Sequence, residues 1–369
     1  MRSSVKKTIF CIIILTSLMC SCSYFHERTL IKQLNSDSSE EKISAAEELG
    51  ILKSKKAIKP LFYAMSDSNK NVGKAAKSAL VNIGEPAVET LIGALVDSNS
   101  RKNAIIVLCE INDPRAITPL ISLIKQEKDN SMRNYILNLS VGLGPGIIDP
   151  LASLFREIDD ESVQRKIISV LGELNHPKAI KPLMEIYADH ENLQIAIAKT
   201  MKNIKHPECI DALMIMIQND QEYVRRYASY SIVEFGDDAL EKLHKAFRNE
   251  ENQYRLWIVT AIGKIADPSS IDILNTAFND EDRNIRLRAF EALNELTTGP
   301  DRFKLFKQAI NDNHSFITSA AFDFLKEDAS DMAHDLLLEA MTTHKNKYIR
   351  RRAESAYNDR LRSINKKKK

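Results

Sequence analysis

Glycine and proline are scarce in this chain, eleven of each in 369 residues, and aromatic residues make up only 7% with a single tryptophan. That is a poor supply for a β-sandwich or a doubly wound sheet, and it directs the reading toward helices. Cysteine is also sparse. Five are present, and only Cys109 and Cys209 lie beyond residue 22, so no disulfide scaffold is available. No excess of positive charge exists either, with 52 basic against 50 acidic residues. A nucleic-acid binder ordinarily carries a basic surplus that displaces counterions, so no nucleic-acid partner is expected. Phosphate loops of the Walker type and Gly-x-Ser-x-Gly elbows are both missing.

The longest apolar run, Thr8 to Met19, has about 12 residues. At ~1.5 Å per residue it reaches about 18 Å, short of the ~30 Å hydrocarbon core of a membrane. Basic Arg2, Lys6 and Lys7 precede it and the small cluster Cys20-Ser21-Cys22 follows. These three zones form a signal-peptide pattern. The stretch Leu18-Met19-Cys20-Ser21-Cys22 resembles a bacterial lipobox, and Cys22, behind small Ser21, is the better acylation site. The resemblance implies a signal peptide over 1–21, a lipid anchor on Cys22 and a mature chain in the bacterial cell envelope. Ser23 after Cys22 favours the outer membrane or the periplasmic side. Removing Arg2, Lys6 and Lys7 leaves 49 basic against 50 acidic residues.

The strongest feature is a recurring apolar anchor: Leu30, Leu61, Leu91, Leu120, Leu151, Leu183, Leu213, Leu243, Leu274, Phe306 and Leu337. A spacing near 30 residues sustained along the chain is the signature of a repeat array. Pro60, Pro119, Pro150 and Pro182 stand directly before their anchors, where a first helical turn needs no N–H. Polar turns follow (Ser66-Asp67-Ser68, Asp97-Ser98-Asn99, Asn219-Asp220, Asn279-Asp280), whose side chains can cap a second helix. That second helix carries apolar residues at helical spacing, as in Val224, Ala228, Ile232. Ala45, Ala76, Ala198, Ala228, Ala289 and Ala321 share one repeat position, where a small side chain lets helices approach. Gly84, Gly144 and Gly236 are expected to stop helices in a left-handed conformation.

The turn Asp, the apolar-Arg pair and the alanine, as in Asp220, Val224-Arg225, Ala228 and Asp280, Ile285-Arg286, Ala289, resemble the HEAT-repeat family. The likeness is to the short bacterial units also found in phycobilisome bilin lyases, and it covers nearly all of the mature chain. It implies an all-α, right-handed solenoid of about eleven helix pairs over residues 22–360, followed by a basic disordered tail at 361–369. Units 117–147 and 303–333 match it less well. Solenoids of this family carry scaffolds and adaptors more often than catalysis. A protein-binding scaffold is therefore expected rather than an enzyme, the alternative being an enzyme or enzyme subunit of bilin-lyase-like or metal-dependent type.

Little in the sequence points to chemistry. Cys109 occupies a position taken elsewhere by glycine and Cys209 one taken by alanine, which reads as small core packing. The eight histidines show no pair at metal-ligand spacing, and His-Glu dipeptides occur only at His26-Glu27 and His190-Glu191. No metal and no cofactor are expected. Arg225, Arg255, Arg286 and Arg350 share one register and are expected to bond turn carboxylates such as Asp220 or Asp280. Tyr223, Arg226, Tyr230 and Trp257 are the residue types that dominate protein interfaces, and they are the candidate partner-binding residues. Lys366 to Lys369 offer positive charge at the end of the last helix.

Overall fold

The structure, a computed structural model, describes residues 25–249 and 253–367, with side chains to residue 362. The expected signal peptide and Cys22 lie outside the described residues. Among those described there is no strand; the fold is all-α. The helices form two compact units, one ending at Leu183 and one beginning at Met184.

In the first unit a helix over 25–33 (α1) leads to α2 (Ser39–Ile51), α3 (Ile58–Ala64), α4 (Lys70–Ile83), α5 (Val88–Ala94) and α6 (Arg101–Ile111). Then come α7 (Ile117–Gln126), α8 (Asn130–Ser140), α9 (Ile148–Glu157) and α10 (Glu161–Glu173). Helix α11 (Ile180–Asp189) passes into the second unit. There follow α12 (Gln194–Met201), α13 (Glu208–Met216), α14 (Glu222–Ile232), α15 (Asp237–Arg248), α16 (Arg255–Ile265) and α17 (Ile271–Ala277). The chain ends with α18 (Arg283–Leu296), α19 (Gly299–Ile310), α20 (Ser315–Glu327), α21 (Asp331–Thr343) and α22 (Lys347–Lys367). Second helices stack on second helices within each unit: α2 on α4, α4 on α6, α6 on α8 and α8 on α10, then α12 on α14, α14 on α16, α16 on α18, α18 on α20 and α20 on α22.

The anchors hold this stack together. All eleven are buried, and the ten from Leu61 onward are completely so. Each contributes about 1.5–3 kcal/mol of apolar burial. Phe306, the one aromatic anchor, meets Phe290 edge-on at 5.5 Å, and Phe290 in turn contacts Phe278 at 5.8 Å and Phe324 at 5.9 Å. An aromatic cluster thus joins the weakly matching unit at 303–333 to the helix pair before it. The six alanines at the shared position are all inaccessible to solvent. Gly263 does the same work between α16 and α18, since a Cβ there would meet the Ala292 Cβ at 2.8 Å.

Helix ends follow the expected chemistry with two refinements. The four prolines before the anchors fall in the first turns of α3, α7, α9 and α11, two residues after each start. A second set opens short 3-10 turns just upstream, at Glu85–Ala87, Pro114–Ala116, Pro177–Ala179 and Pro268–Ser270. In the turns between paired helices, Asp67 and Asp280 do not cap the second helix themselves. Asp67 Oδ1 accepts from the Asn69 N–H at 2.8 Å, and Asn69 then caps α4 by accepting from the Asn71 N–H at 2.9 Å. Asp280 and Asp282 repeat that relay at α18, at 2.9 and 2.7 Å. Gly84, Gly144 and Gly236 have φ of 71°, 63° and 53°, as the stop role requires.

Residues Asn130–Glu157 are apolar enough, at a mean hydropathy of 1.2, to match a membrane span by composition. Gly144 breaks that stretch, so α8 and α9 are separate helices of successive pairs. At the C-terminus, helix α22 continues through Lys367 rather than giving way to a disordered tail at 361. Buried Arg360 holds it there, donating from Nε to the Asp328 carbonyl at 2.9 Å and from a terminal nitrogen to the Ser330 carbonyl at 2.6 Å.

Candidate functional site

A groove of about 630 Å³ runs across the solvent faces of α14, α16 and α18 in the second unit. Its walls come from one stripe of each helix: Glu222, Arg226 and Tyr230 of α14; Trp257, Thr260 and Lys264 of α16; Leu287, Arg288, Glu291 and Glu295 of α18. Consecutive second helices pack side by side, so residues one turn apart on each line up into columns across the stack. Arg225, Arg255 and Arg286 occupy one column; the groove residues lie one, two, five or nine further on, with Glu222 three before.

Three of the four residues singled out from the sequence therefore come together. Arg226, Tyr230 and Trp257 line the groove. Tyr223 stands beside it, 60% exposed, with the Arg226 guanidinium over its ring at 4.8 Å. Trp257 is half-buried, and its carbonyl accepts from the Ser229 hydroxyl at 2.9 Å, tying α16 to α14. Lys199 of α12 sits over the Tyr227 ring at 3.9 Å, and Lys264 over Tyr230 at 5.1 Å. The Arg226 guanidinium, and after it the Lys199 ammonium, favour the phenolate and hold the Tyr227 hydroxyl below the ordinary tyrosine range. Lys199 and Lys264 were not singled out from sequence. Lys264 lines the groove and Lys199 stands beside it over Tyr227, and no local motif marks either.

The arginine register is structural. Arg286 forks onto Asp312 of the next turn at 2.9 and 3.1 Å and donates to the Asp280 and Glu281 carbonyls of its own turn. Arg255 pairs with Asp280 at 2.7 Å, Arg225 donates to the Asn219 and Asp220 carbonyls, and Arg350 to those of His344 and Lys345. Asp280 thus serves as an expected carboxylate partner, whereas Asp220 takes part through its backbone.

Both downstream cysteines are buried, and burial pushes their thiols up, Cys109 to about 12 and Cys209 to about 11. Neither is poised as a thiolate at neutral pH. Among the described residues no three His, Cys, Asp or Glu side chains come together as a metal site.

Comparison with known proteins places this geometry. The model of HEAT repeats matches residues 27–101, 148–234 and 240–326, and that of the PBS lyase HEAT-like repeat matches 100–126. Phycocyanobilin lyase subunit beta of Nostoc sp. is 36% identical over 87 residues, which is 23% of this chain and 44% of that protein. The chain thus spans less than half the length of this curated relative. Among solved structures, yeast importin-beta overlaps 91% of this chain and 57% of its own at 12% identity and a TM-score of 0.35. The phycocyanin lyase complex from Nostoc sp. PCC7120 overlaps 60% of this chain and 92% of its own at 16% identity and a TM-score of 0.31. The expectation that the chain is not an enzyme is overturned by its similarity to a lyase subunit; the sequence reading held the bilin-lyase resemblance only as its alternative, because a repeat resemblance carries no catalytic motif of its own. With repeat matches across more than half its length, stacked helix pairs and a buried anchor in each, the chain belongs to the HEAT-repeat family.

Proposed function

We propose that this HEAT-repeat chain binds a partner protein along the groove of α14, α16 and α18, as a right-handed solenoid of about eleven pairs tethered to the bacterial cell envelope through acylated Cys22. The observation that carries the binding assignment is the meeting of Arg226, Tyr230 and Trp257 in one groove beside exposed Tyr223. Aromatic rings and a guanidinium clustered on a rigid helical face are the residues from which interface hot spots are built. The tether rests on the basic, apolar and small-residue zones that precede Cys22.

Replacing Tyr223 and Tyr230 together with alanine is expected to weaken capture of the partner from the envelope by about tenfold or more, in keeping with truncation of hot-spot aromatics. The melting temperature should hold, because both side chains are exposed. A drop in melting temperature with capture intact would refute the assignment. Mass measurement of the N-terminal peptide in the same preparation checks the tether, which requires an acylated Cys22.

A second reading has its own support in the 36% identity to a phycocyanobilin lyase subunit. On that reading the same chain acts as one subunit of a lyase, with its groove holding the partner subunit or the acceptor protein. Adding phycocyanobilin and following its visible absorbance tests this, since a lyase subunit should perturb the spectrum and a chain without that role should leave it unchanged.

A further inference from the structure

Lys199, Arg226 and Lys264 pair with no carboxylate among the described residues, and what sets them apart is where they stand. They lie on three successive second helices, α12, α14 and α16, and each rests on a tyrosine face instead of an acid. Lys199 lies over Tyr227 at 3.9 Å, Arg226 over Tyr223 at 4.8 Å and over Tyr227 at 5.4 Å, and Lys264 over Tyr230 at 5.1 Å. The Nε of Arg226 is moreover buried with no hydrogen-bond partner. Arg286 and Arg255 on neighbouring second helices, by contrast, pair with Asp312 and Asp280. A run of unpaired cations held over aromatic rings keeps its positive potential and its donors directed outward, with part of the side-chain ordering already in place.

We infer that the segment seated here is an acidic stretch of the partner protein, whose carboxylates take Lys199, Arg226 and Lys264 in turn while its apolar side chains lie on Tyr223, Tyr230 and Trp257. The inference rests on the groove reading above and adds the partner's chemistry to it. Acids of the groove itself bound the site on one side. Glu291, paired with Arg288 at 2.8 Å, and Glu295 both lie on α18, so an acidic segment is directed to the Lys199, Arg226 and Lys264 side, where Glu222 is the one acid of the groove lining.

The chain's single tryptophan, Trp257, lines the groove and reports on it directly. Titrating the full chain with an oligoglutamate peptide carrying one phenylalanine, and with its oligolysine counterpart, should shift Trp257 emission for the acidic peptide alone, more strongly at low salt. The triple variant Lys199→Gln, Arg226→Gln, Lys264→Gln should lose this response by about tenfold or more while keeping its melting temperature. Equal responses to both peptides, or full binding of the acidic peptide by the triple variant, would overturn the inference. Partner capture separates the two claims. If alanine at Tyr223 and Tyr230 abolishes capture while the triple glutamine variant leaves it intact, the groove stands and its acidic occupant does not; if neither change affects capture, both fall.

Discussion

At the scale of single residues, helix ends decide where the chain turns, and the sequence showed only part of them. Glycines 84, 144 and 236 were legible as stops because glycine accepts positive φ without a side-chain clash. The same role falls to Lys53, Asn112, Asn175 and Ala266, at φ of 49°, 57°, 46° and 56°. Asparagine tolerates that region, but nothing about Ala266 announces it; only its place before Asp267-Pro268, matching Asn112 before Asp113-Pro114, does so. An L-residue pays about 1–2 kcal/mol in the left-handed region, and glycine costs ~0.5–1 kcal/mol more in unfolded-state entropy. Ala266→Gly is therefore expected to stabilise the protein by up to about 1 kcal/mol, as a raised denaturation midpoint; a lowered midpoint would show that the Ala266 methyl makes contacts worth more than its strain. Cys109 and Cys209 were correctly legible as packing residues, since each fills a position where the repeat otherwise has a small side chain.

At the scale of the element, α14, α16, α18 and α22 carry an arginine near the start that ties them to the turns, and α4 and α18 are opened by a relay of short polar side chains. The arginine register could be read from the sequence because it repeats. The partners could not, because Asp312 lies 26 residues from Arg286 and only the stacking of α18 on α20 brings them together at 2.9 Å. Both side chains are 11% exposed. The two turn carbonyls that Arg286 also satisfies raise the cost of losing it, and Arg286→Met should lower stability by about 2–3 kcal/mol, the range for charged hydrogen bonds left without a partner. Denaturant unfolding measures this, and an unchanged midpoint would show that water replaces the guanidinium at no cost. The groove was legible in the same partial way. Tyr223, Arg226, Tyr230 and Trp257 were visible as interface residue types, whereas Lys199 and Lys264 gain meaning only once the stacked helices set them over Tyr227 and Tyr230.

At the scale of the whole molecule, the period near 30 residues was enough to give the all-α repeat fold, because one buried anchor per unit is what the stack requires. Function was far less legible. A net charge near zero averages two unlike regions: residues 25–344 hold 38 basic against 48 acidic side chains, while 345–369 hold eleven against two. Composition therefore said little about any local surface. The likeness to bilin-lyase repeats was legible, but it spans 87 residues of ordinary repeat sequence and marks no site. What remains most specific is the groove on α14, α16 and α18. The measurement that tests it most directly is photo-crosslinking from a reactive residue placed at Tyr230 of the full chain in its native cells, with Tyr63, 74% exposed in the first unit, as the matched control. The account predicts one discrete protein adduct from position 230 and none from position 63; no adduct at 230, or the same products from both positions, would contradict it.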